Sequence, residues 1–267
     1  MNERVEELRA RLEKVQDAIA EASTDYSAVR NETSRDVELM VVTKFFPASD
    51  VKKLYSIGVR HVGENRDQEA SVKARDLDSL TLNNESPLRW SFIGQLQTNK
   101  AKSVVRYATD VHSVDRPSLA KALAKAYTNQ LNRYEAEEDS APLAHSLGGL
   151  KCFVQVSLDE DAAATAGQAA EGKRGGSDAD AALEIAQLLE ELPGLSCAGV
   201  MGVPPLGGDP DQAFERLYGI SSRLREQFPH ADQISAGMSG DMESAIRWGS
   251  TIVRVGSQIM GPRPLVQ

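Results

Sequence analysis

Lys44 ends the run Leu39-Met40-Val41-Val42-Thr43-Lys44 and is followed by Phe45-Phe46-Pro47. A continuous apolar run rich in valine and bounded by proline predicts a strand buried on both faces. Lys44 then stands where that strand leaves the sheet. Burying an ammonium among Val, Met and Phe disfavours its charged form and lowers its pKa. A lysine held partly neutral is a nucleophilic amine, the requirement for Schiff-base chemistry with an aldehyde cofactor. On this stretch alone the commoner outcome is a lysine that snorkels out of a strand end. The rest of the chain reverses that weighting.

Two glycine-bearing loops have the composition of phosphate sites. Gly237-Met238-Ser239-Gly240 precedes a predicted helix, so its N–H groups can point at an anion. Asp241 and Glu243 follow at once and oppose an anion, which leaves the N–H groups and Ser239 to do the binding. Gly256-Ser257 follows the last predicted strand. Plain turn geometry explains either loop alone; two in the last two units are stronger evidence than one. Arg254 sits inside the apolar strand Ile252-Val253-Arg254-Val255 and needs a buried acceptor. A structural carboxylate and a cavity shared with Lys44 are equally good readings of it. His61 and His112 are expected as hydrogen-bonded core or rim residues rather than bases.

The elements that must position these residues repeat in order: short apolar strand, polar loop, amphipathic helix. Val5, Leu8, Leu12, Val15 and Ile19 form a helical stripe, giving an N-terminal helix over 1–22 that packs on its own domain; a coiled coil is the other use of such a stripe. About eight strands then alternate with about eight helices, which implies parallel strands with crossover helices. The size suits a single (β/α)8 barrel domain spanning 1–267. A doubly wound open sheet is the second choice, weakened by the missing GxGxxG after the first strand. In a barrel the loops after the strands build the active face. Those loops carry Lys44, Glu64-Asn65, Gly94-Gln95, His112-Ser113, Met201 to Pro204, Gly237 to Gly240 and Gly256-Ser257. The segments 135–149 and 159–178 are polar or rich in small residues and are expected as flexible surface segments.

At 267 residues, 41% hydrophobic and 26% charged, the composition is that of a soluble globular protein. No apolar run reaches the ~20 residues of a membrane span, and the charged N-terminus lacks a signal-peptide core. Cys152 and Cys197 are too few for a disulfide framework or an ordinary zinc site and are expected as reduced core residues of a cytoplasmic protein. A net charge of -9 argues against general nucleic-acid binding.

Several motifs occur together in order. They are Val42-Thr43-Lys44, Gly63-Glu64-Asn65 with Gln68-Glu69, and Trp90-Ser91-Phe92-Ile93-Gly94-Gln95-Leu96-Gln97-Thr98-Asn99-Lys100. Gly199-Val200-Met201 through Pro204, Gly237-Met238-Ser239-Gly240-Asp241-Met242 and Val253-Arg254-Val255-Gly256-Ser257 to Gly261 follow. From Leu39 to Gly261 the chain resembles the YggS/PROSC family of pyridoxal phosphate homeostasis proteins. The resemblance implies a barrel like the alanine racemase N-terminal domain. It also implies pyridoxal 5′-phosphate bound as an aldimine to Lys44, with Arg254 at the pyridine nitrogen. Ser239, Gly256 and Ser257 would hold the phosphate, and Asn65 and Met201 would line the pocket. The departures are Ser91 for a histidine, Asp67 for an apolar residue, and Ser257 and Met260 for a threonine and a phenylalanine. Ser257 keeps a hydroxyl; Ser91 removes whatever role that histidine has.

Two functions fit the resemblance: a non-catalytic carrier that buffers and delivers pyridoxal phosphate, and an amino-acid racemase. An arginine at the pyridine nitrogen weakens the electron sink that catalysis exploits, though racemases tolerate it. A racemase also needs a second acid/base group, which the resembling racemases take from a partner subunit placed by a C-terminal β-domain. Here the eight units leave only Pro262 to Gln267. The carrier is therefore the expected function, in a cytoplasmic monomer serving pyridoxal-phosphate-dependent apo-enzymes, with neither nucleic acid nor membrane as a partner. The N-terminal stripe leaves a dimer open.

Overall fold

The computed structural model describes residues 3–30, 36–81, 86–159 and 175–263. Its eight strands follow one another around a closed barrel in chain order. They are β1 Glu38–Val42, β2 His61–Glu64, β3 Arg89–Phe92, β4 Asp110–Val114, β5 Leu150–Val156, β6 Leu195–Gly202, β7 Gln233–Ser235 and β8 Ile252–Val255. The helices are α1 Glu3–Arg30, α2 Ala48–Ser56, α3 Asp67–Asp76, α4 Asp78–Thr81, α5 Ala101–Tyr107, α6 Pro117–Glu135, α7 Ala179–Glu191, α8 Pro210–Gln227, α9 Met242–Arg247 and α10 Ser257–Met260. This is the parallel (β/α)8 architecture that the alternation predicts. Among the described residues no helix is long and apolar enough to cross a membrane.

The chain packs as two compact units, Met1–Ser91 with Ala236–Gln267, and Phe92–Ser235. In the first, β1 pairs in parallel with both β2 and β8, and Met40 lies opposite Arg254. The α1 stripe of Leu8, Leu12, Val15 and Ile19 is buried, and α1 packs on α2, α9 and α10. The helix runs past its expected end near residue 22 to Arg30, because Thr24 to Arg30 is polar but holds no glycine or proline to stop it. Where a stop was expected it works: Gly58, at a φ of 103°, donates its N–H to Tyr55 O just past the end of α2.

In the second unit, β4, β5, β6 and β7 pair in that order, with Cys152 opposite Cys197. Both thiols are buried and free. Burial holds the Cys152 thiol well above its ordinary value and pushes Cys197 up to about 12. Pro117 and Pro210 open α6 and α8, and Asp178 and Asp209 cap α7 and α8. The 135–149 segment, expected as a flexible loop, carries a 3-10 helix at Leu143–Leu147. Arg106 grips Asp139 with both terminal nitrogens, at 2.9 and 2.8 Å. Arg106 lies on α5, so composition within the segment does not reveal this grip. Of the 159–178 segment, 160–174 lie outside the described residues; Ser177 returns to bridge Val156 beside β5.

Candidate functional site

Lys44 leaves the end of β1 with its side chain half-buried. Thr43, the residue before it, is fully buried and takes its backbone partner from Gly63 O at 3.0 Å. Among the described residues the Lys44 amine has no hydrogen bond or ion pair. The centroid of the Phe45 ring lies 5.9 Å from its Nζ. Burial lowers the Lys44 pKa first, and Arg263 and Arg66 lower it further, against the opposing charge of Glu64. This is the half-desolvated amine that the apolar run predicts.

Phe45 adopts a left-handed backbone at a φ of 72°, uncommon for a residue with a Cβ. Its N–H donates to Glu69 Oε2 at 3.2 Å, which fixes the turn. The ring gathers two more cations, Arg263 at 4.5 Å and Arg66 at 5.2 Å. These lie within reach of cation–π attraction.

Behind Lys44 lies a buried polar cluster that the sequence reading did not identify. Thr43 Oγ1 donates to Glu64 Oε1 at 2.6 Å, and Lys73 Nζ donates to the same oxygen at 2.7 Å and to Thr43 O at 2.9 Å. Burial raises the Glu64 pKa, while Lys73 and Thr43 pull it back. Ala70, Lys73 and Ala74 are buried together on α3, the i, i+3, i+4 pattern of an inward face. A lysine in such a stripe demands a carboxylate. Asn65, next to Glu64, has a buried Oδ1 with no partner among the described residues.

Arg254 is 4% exposed. Burial brings its pKa down to about 10, with Asp241 as the opposing charge. Its backbone N–H donates to Gly237 O at 2.9 Å, tying β8 to the Gly237–Gly240 loop. That loop and the end of β8 bring the predicted phosphate residues together. Ser257 Oγ donates to Ser239 Oγ at 3.3 Å, and Gln258 Nε2 donates to Ser239 O at 2.9 Å. Gly237 has a φ of 90°, and a Cβ there would come within 2.7 Å of Ala245. A Cβ on Gly256 would lie 3.3 Å from Val42. The Met238 N–H is taken by Asp241 Oδ1 at 2.6 Å, so that donor is already used.

Lys44, Asn65, Ser239, Arg254, Gly256 and Ser257 all belong to the first unit; Met201, buried at the C-terminal end of β6, belongs to the second. His61 bonds Ser91 Oγ at 2.6 Å and pairs with Glu38 at 3.1 Å. His112 stacks on Phe153 at 4.0 Å and bonds Ser235 Oγ at 2.8 Å. Both are core histidines.

The chain matches the family model "Alanine racemase, N-terminal domain" over residues 18–264. It is 42% identical over 237 residues to the pyridoxal phosphate homeostasis protein of Mycobacterium tuberculosis, covering 86% of this chain and 84% of that one. Among solved structures it is similar to PipY of Synechococcus elongatus with PLP bound: 28% identity, TM-score 0.64, 91% of this chain and 100% of that one. The alanine racemase of Streptomyces coelicolor shares the fold at 16% identity and a TM-score of 0.64, over 97% of this chain and 59% of its own.

Proposed function

The chain belongs to the YggS/PROSC family of pyridoxal phosphate homeostasis proteins, and from that premise we propose that it holds pyridoxal 5′-phosphate covalently through Lys44 and buffers and delivers it. When bound, the cofactor supplies an aldehyde that condenses with an amine. The observation that carries the reading is the Lys44 amine itself: half-buried, lowered in pKa and without a polar partner among the described residues.

The surrounding residues fit the group. Ser239 and Ser257 place two hydroxyls together beside Gly256, where a side chain would crowd Val42; these suit a phosphate. Arg254 is a buried cation suited to donate to a ring nitrogen and keep it unprotonated. Asn65 offers an Oδ1 with no partner among the described residues. The racemase reading rests on a likeness that carries the fold alone. The carrier reading also has the chain working as a cytoplasmic monomer that serves pyridoxal-phosphate-dependent apo-enzymes.

The test is to incubate the protein with pyridoxal phosphate, reduce with borohydride and locate the modified peptide by mass spectrometry, while following the optical rotation of L- and D-alanine. A reduced adduct on Lys44 without loss of chirality supports the carrier. Sustained racemisation that disappears in Lys44→Ala makes it an enzyme. An adduct elsewhere, or none, removes Lys44 from the assignment.

A further inference from the structure

We infer that Glu64 is a positioning residue for the Lys44 amine, through a clamp that Thr43, Glu64 and Lys73 form beneath it; the inference deepens the reading of Lys44 given above and rests on it. The clamp holds the residue before Lys44 at two points. Glu64 Oε1 takes the Thr43 hydroxyl at 2.6 Å, and Lys73 Nζ takes the Thr43 carbonyl at 2.9 Å. The two grips are joined by the Lys73–Glu64 ion pair at 2.7 Å. All three residues are buried: Thr43 is 0%, Glu64 1% and Lys73 7% exposed. A buried ion pair is a poor source of stability compared with apolar packing. Its presence directly behind the reactive amine is better explained by what it does there.

Two features assign the clamp a task. The backbone from which Lys44 springs cannot shift without breaking a buried charged hydrogen bond, and such bonds are costly to lose. Glu64 Oε2 is also buried without a partner among the described residues, so part of a carboxylate's charge is uncompensated beside Lys44. The charges acting on the amine are Arg66 and Arg263, which favour its neutral form, and Glu64, which favours the ammonium. Lys73 neutralises part of Glu64, and Glu69 is occupied by Phe45 N–H and Arg66. Glu64 is thus the group that keeps the amine from becoming neutral too early, while Thr43 fixes where it points.

The test reads the amine directly in cofactor-free protein. Lys44 is acetylated with acetic anhydride across a pH series, and the rate is followed on its own peptide by mass spectrometry. Only the free amine reacts. Glu64→Gln keeps an acceptor for Thr43 and Lys73 but removes the charge, so the pH midpoint of Lys44 should fall by about one unit. Glu64→Asp restores the charge and should return the midpoint to the wild-type value. An unmoved midpoint in Glu64→Gln, or an equal displacement in Glu64→Asp, overturns the inference.

Thr43→Val leaves the charge and cuts one grip, and serves also if Glu64→Gln does not fold. It should slow reductive trapping of pyridoxal phosphate on Lys44 about tenfold, and wild-type trapping in this variant overturns the positioning role. If wild-type protein traps no cofactor on Lys44 while the acetylation midpoints move as expected, the carrier reading fails and the clamp's effect on the amine stands.

Discussion

Met40 and Arg254 stand opposite each other where β1 pairs with β8, the methionine fully buried and the arginine 4% exposed. Residues opposite each other in register project from the same face of a sheet. A cation thus shares a face with an apolar side chain from the strand that leads to Lys44, and burial brings it down to about 10. Arg254→Met removes a buried cation and its attraction to Asp241, so the melting temperature should fall below wild type. Pyridoxal phosphate affinity should drop roughly 10- to 100-fold with the lost charged hydrogen bond. Fluorescence titration and thermal melting check the two halves separately.

Ser257→Ala addresses the phosphate. It removes the hydroxyl that donates to Ser239. Affinity for pyridoxal phosphate should fall by about 1.5–3 kcal/mol, while pyridoxal, which lacks the phosphate, binds as before. Paired titrations of the two compounds give the contrast, and an equal loss for both would remove Ser257 from the phosphate site.

Gly237→Ala strains the same region from within. The residue has a φ of 90°, and the added methyl would press on Ala245 at 2.7 Å and on Met242 Cα at 3.2 Å. The expected cost is roughly 1–3 kcal/mol, measured by urea denaturation, with weakened binding because Ser239 rides on the displaced loop.

Leu8→Ala separates the two uses of the N-terminal stripe. Leu8 is fully buried in a chain whose α1 packs on α2, α9 and α10. Truncation should destabilise the fold by about 2–5 kcal/mol. Sedimentation should show the same mass for variant and wild type; a dissociating dimer would point to the coiled-coil use.

Asp139 gives a pH signature. Arg106 holds its carboxyl down to about 2 from an ordinary 3.8, chiefly by hydrogen bonding. The folded chain stays deprotonated where the unfolded chain takes up the proton, so this contribution is complete above 3.8 and is lost as the pH falls through about 2. Asp139→Asn should melt below wild type at neutral pH, and melting curves in acid should converge across that window.

The barrel was legible because its signals are local and repeated. The apolar run before Lys44, the proline at the start of α6 and the glycine after α2 each act within a few residues. Lys44, Ser239 and Ser257 stand out in the sequence for the same reason, since each lies shortly after a strand and carries a polar group there. Glu64 and Lys73 do not, because neither is informative without the other and they lie in different elements. Phe45 and Arg263 were hidden likewise: their contact joins a turn after β1 to the residues beyond α10. The C-terminal end of α1 was missed because polar residues continue a helix as well as they end one, and α10 was missed because four residues are too few to show a period.

β1 and β8 are neighbours although they are the first and last strands of the barrel. Lys44 follows one and Ser257 follows the other. A ligand gripped by both is therefore a latch across the seam where the chain closes on itself. Binding at a hundred times Kd would add about 2.7 kcal/mol to the folded state as a whole. Under the proposed function, release of the cofactor would withdraw that stabilisation from a fold whose first and last strands meet beside Lys44 and Ser257.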